Sequence, residues 1–355
     1  MLEALFLIGA SVALNFLLLR FLRSPGTKNQ AGTMMVRWSA QAKPAIGGIG
    51  FFVIFLIALI FALLFFGDTI LPNEKGLLLG LASASTLGFL AGLYDDSFNT
   101  KPFFKLTAQV ICASILIASG FTITLFDSDV LNIFVSMVWI VGFMNSINML
   151  DNMDGISTIV SIFVVFFCLI VLGLNGLIDT IWFSLLLGVL ASLFGFLVFN
   201  WHPSKMFMGD SGSQFLGVLL AAIGILFCWN NEDMVQATDF NWQALVLLAL
   251  VFLLPLIDTT VVTINRLSHG QSPMVGGRDH TTHNLVYLGF SDRMVGTAYS
   301  FLSMVHITIA VWITYFISDN QLWMIWLAVG YMLCLFFTLF VISRVNLARG
   351  KYSYR

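Results

Sequence analysis

The residues best suited to chemistry lie in Asn145 to Gly155, which reads Asn-Ser-Ile-Asn-Met-Leu-Asp-Asn-Met-Asp-Gly. About twenty mostly apolar residues precede this stretch and about eighteen follow it, and each flank is long enough to cross a bilayer. Charge at a membrane edge is costly unless it binds something. Asp151 and Asp154 are three positions apart, so one helical turn would point both the same way. Two carboxylates and three Asn in that setting suit a divalent cation or the groups around a phosphate.

Three other polar stretches carry comparable groups. Asp95 and Asp96 are adjacent and repel unless a cation is near, and Lys101 and Lys105 follow to supply that charge or grip an anion. Asn200, His202, Phe207 and Gly209-Asp210-Ser-Gly-Ser213 precede another apolar run. There the glycines allow close backbone approach, helix amides favour phosphate, and Asp210 is a hard oxygen ligand for Mg²⁺ or the cap of that helix. Gly276-Gly-Arg278-Asp-His280-Thr-Thr-His283 offers Arg278, His280 and His283 as donors to a pyrophosphate. Asp258 is a candidate because it is ionisable near a span end, with pairing to Arg266 as its plain alternative.

The elements that must position these groups are membrane helices. Of 355 residues, 59% are hydrophobic and 10% charged, against about 25% charged in a soluble domain. Mean hydropathy is +0.95. Eleven apolar runs fall at 2–22, 46–66, 76–94, 106–124, 130–149, 156–174, 178–199, 213–230, 243–265, 296–318 and 321–343. The expected fold is an all-α polytopic membrane protein, read as one domain over 1–355. With the N-terminus outside and the C-terminus cytoplasmic, only Lys75 of the 16 Lys and Arg lies outside, which satisfies the positive-inside rule. The polar stretches then share the cytoplasmic face. The first 22 residues lack a basic start and a cleavage site, and read as a retained span.

Several alternatives fit less well. The net charge of −2 gives no reason to expect nucleic acid. Cys112, Cys168, Cys228 and Cys334 fall in separate apolar runs without a Cys-x-x-Cys pair and read as small buried hydrophobes. His280 and His283 lack the further ligands of a zinc site. An EF-hand ending at Gly155 would need an acid where Leu150 stands. Gly47-Gly48-Ile-Gly50 follows no strand and is not a dinucleotide fingerprint. A secondary transporter would place its site near the midplane, often on repeats, and no repeat is seen.

Together the motifs resemble the polyprenyl-phosphate N-acetylhexosamine-1-phosphate transferase family. They are Pro44-x-x-Gly-Gly, Asp95-Asp96, Asn145-x-x-Asn-x-x-Asp-x-x-Asp-Gly155, Phe199-Asn200, Met208-Gly-Asp-Ser-Gly-Ser213 and the His280 loop. The resemblance covers residues 44 to 293. It implies Asp210 as the main Mg²⁺ ligand (Mn²⁺ as substitute), with Asp154 as second ligand or orienting group. It places Asn148, Asp151 and Phe207 at uridine, with Asn200 in the same substrate-binding set, and Asp95 and Asp96 near a lipid phosphate. Asp96 is the candidate for taking the last proton of that phosphate, which has a pKa near 6 by analogy with phosphoamino acids. The implied reaction joins GlcNAc-1-phosphate from a UDP-N-acetylhexosamine to undecaprenyl phosphate and releases UMP. This would occur in the bacterial inner membrane, at the start of cell-envelope polysaccharide synthesis such as that of O-antigen. The related phospho-N-acetylmuramoyl-pentapeptide transferase is the alternative, and a homodimer is compatible with either. Two departures, His280-Thr-Thr-His283 in place of His-x-His-His and Ala45 in place of a basic residue, bear on the sugar.

Overall fold

A computed structural model of the chain describes residues 2–21, 43–230, 242–274, 276–316 and 323–354. Arg23, Lys28 and Arg37, which the expected topology places inside, and Glu232, Asp233, Asp239 and Asp319, which it places outside, lie outside the described residues. Of the described residues, 80% are helical. The helices are α1 (Leu2–Phe21), α2 (Gly47–Phe66), α3 (Pro72–Phe98), α4 (Pro102–Ala118), α5 (Asp129–Leu150), α6 (Ile156–Leu174), α7 (Ile181–Asn200), α8 (Gly209–Gly224), α9 (Trp242–Val251), α10 (Leu253–Ser268), α11 (Thr281–Tyr287), α12 (Asp292–Phe316) and α13 (Trp323–Ala348). Among the described residues, eight helical stretches are long and apolar enough to cross a membrane, or nine with α9 and α10 taken together. α4 and the 6–21 part of α1 are shorter apolar helices.

α8 is the axis of the bundle: in the most apolar stretch of α8 and its continuation to Trp229, 94% of the residues are buried, against 22% in that of α13. It packs on α2, α3 and α5. Its small residues make this possible, since backbones approach closely only where side chains are small. A Cβ on Gly217 would stand 2.6 Å from the Met144 Cα of α5. One on Gly92 of α3 would run into the Asp210 carbonyl, so α3 and α8 meet backbone to backbone at the level of the polar motifs.

The structure moves several expected boundaries. The run at 243–265 is not one straight span: α9 and α10 meet at 79° around Phe252. Pro255 lacks an amide hydrogen, which removes one bond of the helical ladder at the bend. Ser146 donates to the Pro255 carbonyl at 2.8 Å, satisfying an acceptor beside the break. α3 extends through Asp95 and Asp96, so this pair sits on a helix end and not in a loop. α8 begins at Gly209, placing Asp210 in its first turn. Asp151 and Asp154 do not share a helical turn, because α5 ends at Leu150 and residues 151–155 form a non-helical turn that closes on Gly155 at φ 78°. Cys112, Cys168 and Cys228 are buried and Cys334 is exposed, all as free thiols. His306 is a satisfied core residue, bonded through Nε2 to the Tyr331 hydroxyl at 2.9 Å.

Candidate active site

The C-terminal ends of α3, α5, α7 and α10 and the N-terminal ends of α4, α6, α8 and α12 converge at one end of the bundle. There they enclose a cavity of about 1120 Å³. Ten of the predicted site residues line it: Asp95, Lys105, Asn148, Asp151, Asp154, Asn200, Phe207, Asp210, His280 and His283. Asp96 and Arg278 are not among its lining residues.

Lys105, in the first turn of α4, is the hub of one wall. Its Nζ lies 2.5 Å from Asp210 Oδ1, 3.2 Å from Asn148 Oδ1 and 3.3 Å from Asp95 Oδ2. The Asn148 amide donates to Asp210 Oδ1 at 2.6 Å and to the Ser213 hydroxyl at 2.8 Å. Three helices thus bring a cation and an amide to one carboxylate. Behind it, Asp96 accepts the backbone amides of Asp210 at 2.8 Å and Ser211 at 2.9 Å. A carboxylate from α3 therefore supplies the cap that α8 lacks in its own sequence, against the positive end of the helix dipole. A Cβ at Gly209 would meet Asp96 Oδ2, and its φ of 77° is the left-handed value glycine adopts freely.

Asp154 has a separate set of partners. The Ser204 amide and hydroxyl donate to it at 3.0 and 2.7 Å, His202 Nδ1 lies at 3.2 Å and Lys43 Nζ at 3.5 Å. Burial alone would raise this carboxyl; the Ser204 bonds and the Lys43 and His202 charges outweigh it, so Asp154 sits below the ordinary carboxylate value. Lys43 also stands 5.1 Å from the centroid of the Phe207 ring. Phe207 is fixed by backbone bonds to the segment before α2, donating to the Pro44 carbonyl at 3.0 Å and accepting from Gly47 at 3.1 Å. Asn200 ties three segments: its Oδ1 accepts the Gly155 amide and the Thr158 hydroxyl, and its Nδ2 donates to the Met206 carbonyl. Asp151 accepts from the Ser157 hydroxyl at 2.7 Å.

The opposite wall comes from α10 and the 269–284 segment. Arg266 makes a two-point ion pair with Asp279 at 2.8 and 2.7 Å. The alternative of Arg266 with Asp258 is therefore overturned: Asp258 is fully buried and bonds His280 Nδ1 at 2.8 Å. Burial would raise the Asp279 carboxyl, but the Arg266 bond, the His280 charge and Tyr354 hold it below the ordinary value. His283 is 1% exposed, and burial with the neighbouring His280 pushes its imidazole down to about 3. It meets the cavity as a neutral ring. Arg278 is exposed and does not line the cavity, although Gly277 and His280 on either side do.

Sequence reasoning missed the roles of Lys43, His202, Ser204 and Asp279. Their only signal was position beside motifs already singled out. Among the described residues no group of three or more His, Cys, Asp or Glu side chains is arranged to hold a metal. The cavity nevertheless fits a hard divalent cation chemically. Asp95, Asp151, Asp154, Asp210 and Asp292 line it against Lys43, Lys105 and Arg266, and the anionic donors are all oxygens.

Fold and site define a helical membrane protein with a cavity lined by carboxylates and cationic side chains at one end of its bundle. Residues 78–228 match the model of glycosyl transferase family 4. The chain is 27% identical over 242 residues to a probable undecaprenyl-phosphate N-acetylglucosaminyl 1-phosphate transferase of Bacillus subtilis (strain 168), covering 64% of this chain and 65% of that protein. It is 27% identical over 228 residues to a decaprenyl-phosphate N-acetylglucosaminephosphotransferase of Mycobacterium leprae (58% and 56%). With a phospho-N-acetylmuramoyl-pentapeptide-transferase of Streptococcus uberis it shares 30% over 202 residues (51% and 58%). The chain thus spans 56% to 65% of the length of these relatives. The resemblance read from the motifs is borne out by these matches.

Proposed function

We propose that this protein transfers N-acetylglucosamine 1-phosphate from a UDP-sugar to undecaprenyl phosphate and releases UMP. The single observation that carries this is the Lys105–Asp210–Asn148 cluster in a carboxylate-lined cavity at one end of an apolar bundle, within the family match. A lipid phosphate has to meet a nucleotide diphosphate, and an embedded site serves a substrate that cannot leave the bilayer. An oxygen of the lipid phosphate forms a bond to the sugar-bearing phosphorus, the bond to the UMP oxygen breaks, and the lipid keeps the new diphosphate.

Positioning and charge neutralisation account for most of the acceleration of such transfers. Lys105 is placed to leave Asp210 for a phosphate oxygen. Asn148 keeps Asp210 aimed into the cavity, and Asp96 fixes the start of α8 from behind. Lys43 and Phe207 offer a cation and an aromatic face for the nucleotide. Asp154 orients that pair through Lys43, Ser204 and His202. Mg²⁺, held by Asp210, would supply Lewis-acid stabilisation of the phosphoryl oxygens when bound.

Eleven crossings follow if α9 and α10 form one span and α1 and α4 cross as short ones. With the cavity end cytoplasmic, Lys and Arg fall inside as bilayer charge asymmetry requires. The functional test is UMP release by purified protein given undecaprenyl phosphate, Mg²⁺ and a panel of UDP-sugars, including UDP-N-acetylmuramoyl-pentapeptide. UMP should appear only with all three components. Release of UDP would mean that a sugar without its phosphate is transferred and would overturn the reading. Cysteine labelling tests the sidedness: positions near Gly277 should not react from outside intact cells.

A further inference from the structure

Asp258 takes no part in the mechanism above, yet it is fully buried and fully bonded. Oδ1 accepts the Thr281 amide at 2.7 Å and the Thr281 hydroxyl at 2.5 Å. Because Thr281 spends its hydroxyl hydrogen on Asp258, the Tyr299 hydroxyl, 2.8 Å away, is the donor to Thr281. Oδ2 faces His280 Nδ1 at 2.8 Å. A carboxylate accepts only, so Nδ1 carries the hydrogen. His280 lines the cavity, and Nε2 is the nitrogen it has left to offer there.

We propose that Asp258 is a positioning residue: it fixes the tautomer and direction of His280, so that Nε2 alone addresses the substrate's diphosphate. This rests on the proposed reaction for its substrate, and on the bond geometry for everything else. Nε2 in this arrangement takes a proton, or donates one to a diphosphate oxygen when it holds one. The Asp258 charge balances the ring in the second state. The 79° break places the carboxylate here, because it carries α10 beneath the start of α11. The same dihydrogen-bonded Oδ1 also caps α11, so a purely structural role has to be separated from the positioning role.

Asp258→Asn separates them. Its amide oxygen still accepts from Thr281, while its NH₂ now faces His280 Nδ1 as a donor and forces the hydrogen to Nε2. In full-length protein carrying ¹⁵N-labelled histidine in lipid nanodiscs, wild-type His280 should show a protonated Nδ1 and Asp258→Asn a protonated Nε2. UMP release should fall between about 10²- and 10⁴-fold, the range for a misplaced acid–base group. KM for the UDP-sugar and the melting temperature should stay near wild type. In a His280→Gln background the same substitution should change the rate by no more than about twofold, since a residue acting through His280 has nothing left to act on. A wild-type spectrum with the proton on Nε2 overturns the proposal even if Asp258→Asn fails to fold. An equal loss in the His280→Gln background also overturns it and makes Asp258 a structural cap. If wild-type protein releases no UMP, the proposed reaction fails, while the two spectra still decide the Asp258 assignment.

Discussion

The cavity has two charged walls. On the wall from α3, α4, α5 and α8, Lys105 divides itself among Asp95, Asn148 and Asp210, and the side chains of Lys105 and Asp210 are each 20% exposed. On the wall from α10 and the 269–284 segment, the Arg266 and Asp279 side chains are 5% and 3% exposed and joined at two points, and Asp258 is closed off by His280 and Thr281. The first wall lies within the family match at 78–228 and the second beyond it. Charges that remain partly solvated can change partners when an anion or a cation arrives. Charges that are buried and fully bonded cannot, and serve to hold something else in place. The first wall is thus built for exchange and the second for orientation.

The largest effect should follow from attacking the exchangeable wall. Asp210→Asn keeps the shape but offers Lys105 and a hard cation a neutral amide. UMP release should fall on the order of 10³-fold or more, with the melting temperature nearly unchanged. Near-normal turnover would remove Asp210 from the centre of the mechanism.

Attacking the fixed wall should instead cost stability. Asp279→Ala leaves the Arg266 guanidinium buried without its carboxylate, for which about 3–5 kcal/mol is expected. Chemical denaturation in detergent should show the loss, and joint replacement of Arg266 and Asp279 by apolar residues should recover part of it. A silent Asp279→Ala would mean that this wall is looser than its geometry.

Acid should distinguish the walls as well. The His283 imidazole is pushed from 6.5 to about 3 in the folded chain by burial and by His280. Between those values the unfolded chain binds a proton that the folded chain refuses. The stability it contributes is complete above pH 6.5 and declines as the pH falls toward 3, by at most about 1.4 kcal/mol per unit. Melting measured from pH 8 to 5 should show that slope in wild type and a flatter one in His283→Gln. Equal slopes would assign the acid sensitivity elsewhere.

A smaller loss of stability than at Asp279 is expected of Asp96→Asn, which places an amide hydrogen against the start of α8 at a cost of about 0.5–2 kcal/mol. With both oxygens of Asp96 already accepting backbone amides, the fractional loss of UMP release should be the same from pH 7.5 to 8.5. Recovery at high pH would restore Asp96 as the group that takes the lipid phosphate's proton.

The residue pattern by itself determined the helical membrane class and the positions of most apolar helices, and it singled out Lys105, Asn148 and Asp210, which the fold brings together at one cavity. Those are local matters: an apolar run of membrane length declares itself, and polar groups dense at its ends need a reason to be there. The pairing of charges was decided only in the folded chain. Asp96 reaches the Asp210 amide across 114 positions, and Lys43 reaches Asp154 across 111. Asp258 and Arg266 stand two turns apart on α10, and it is the return of residues 279–281 onto that helix that gives Asp258 to His280 and Asp279 to the guanidinium. No spacing in the chain encodes such choices, because they follow from which helix ends converge and how deeply each end is buried.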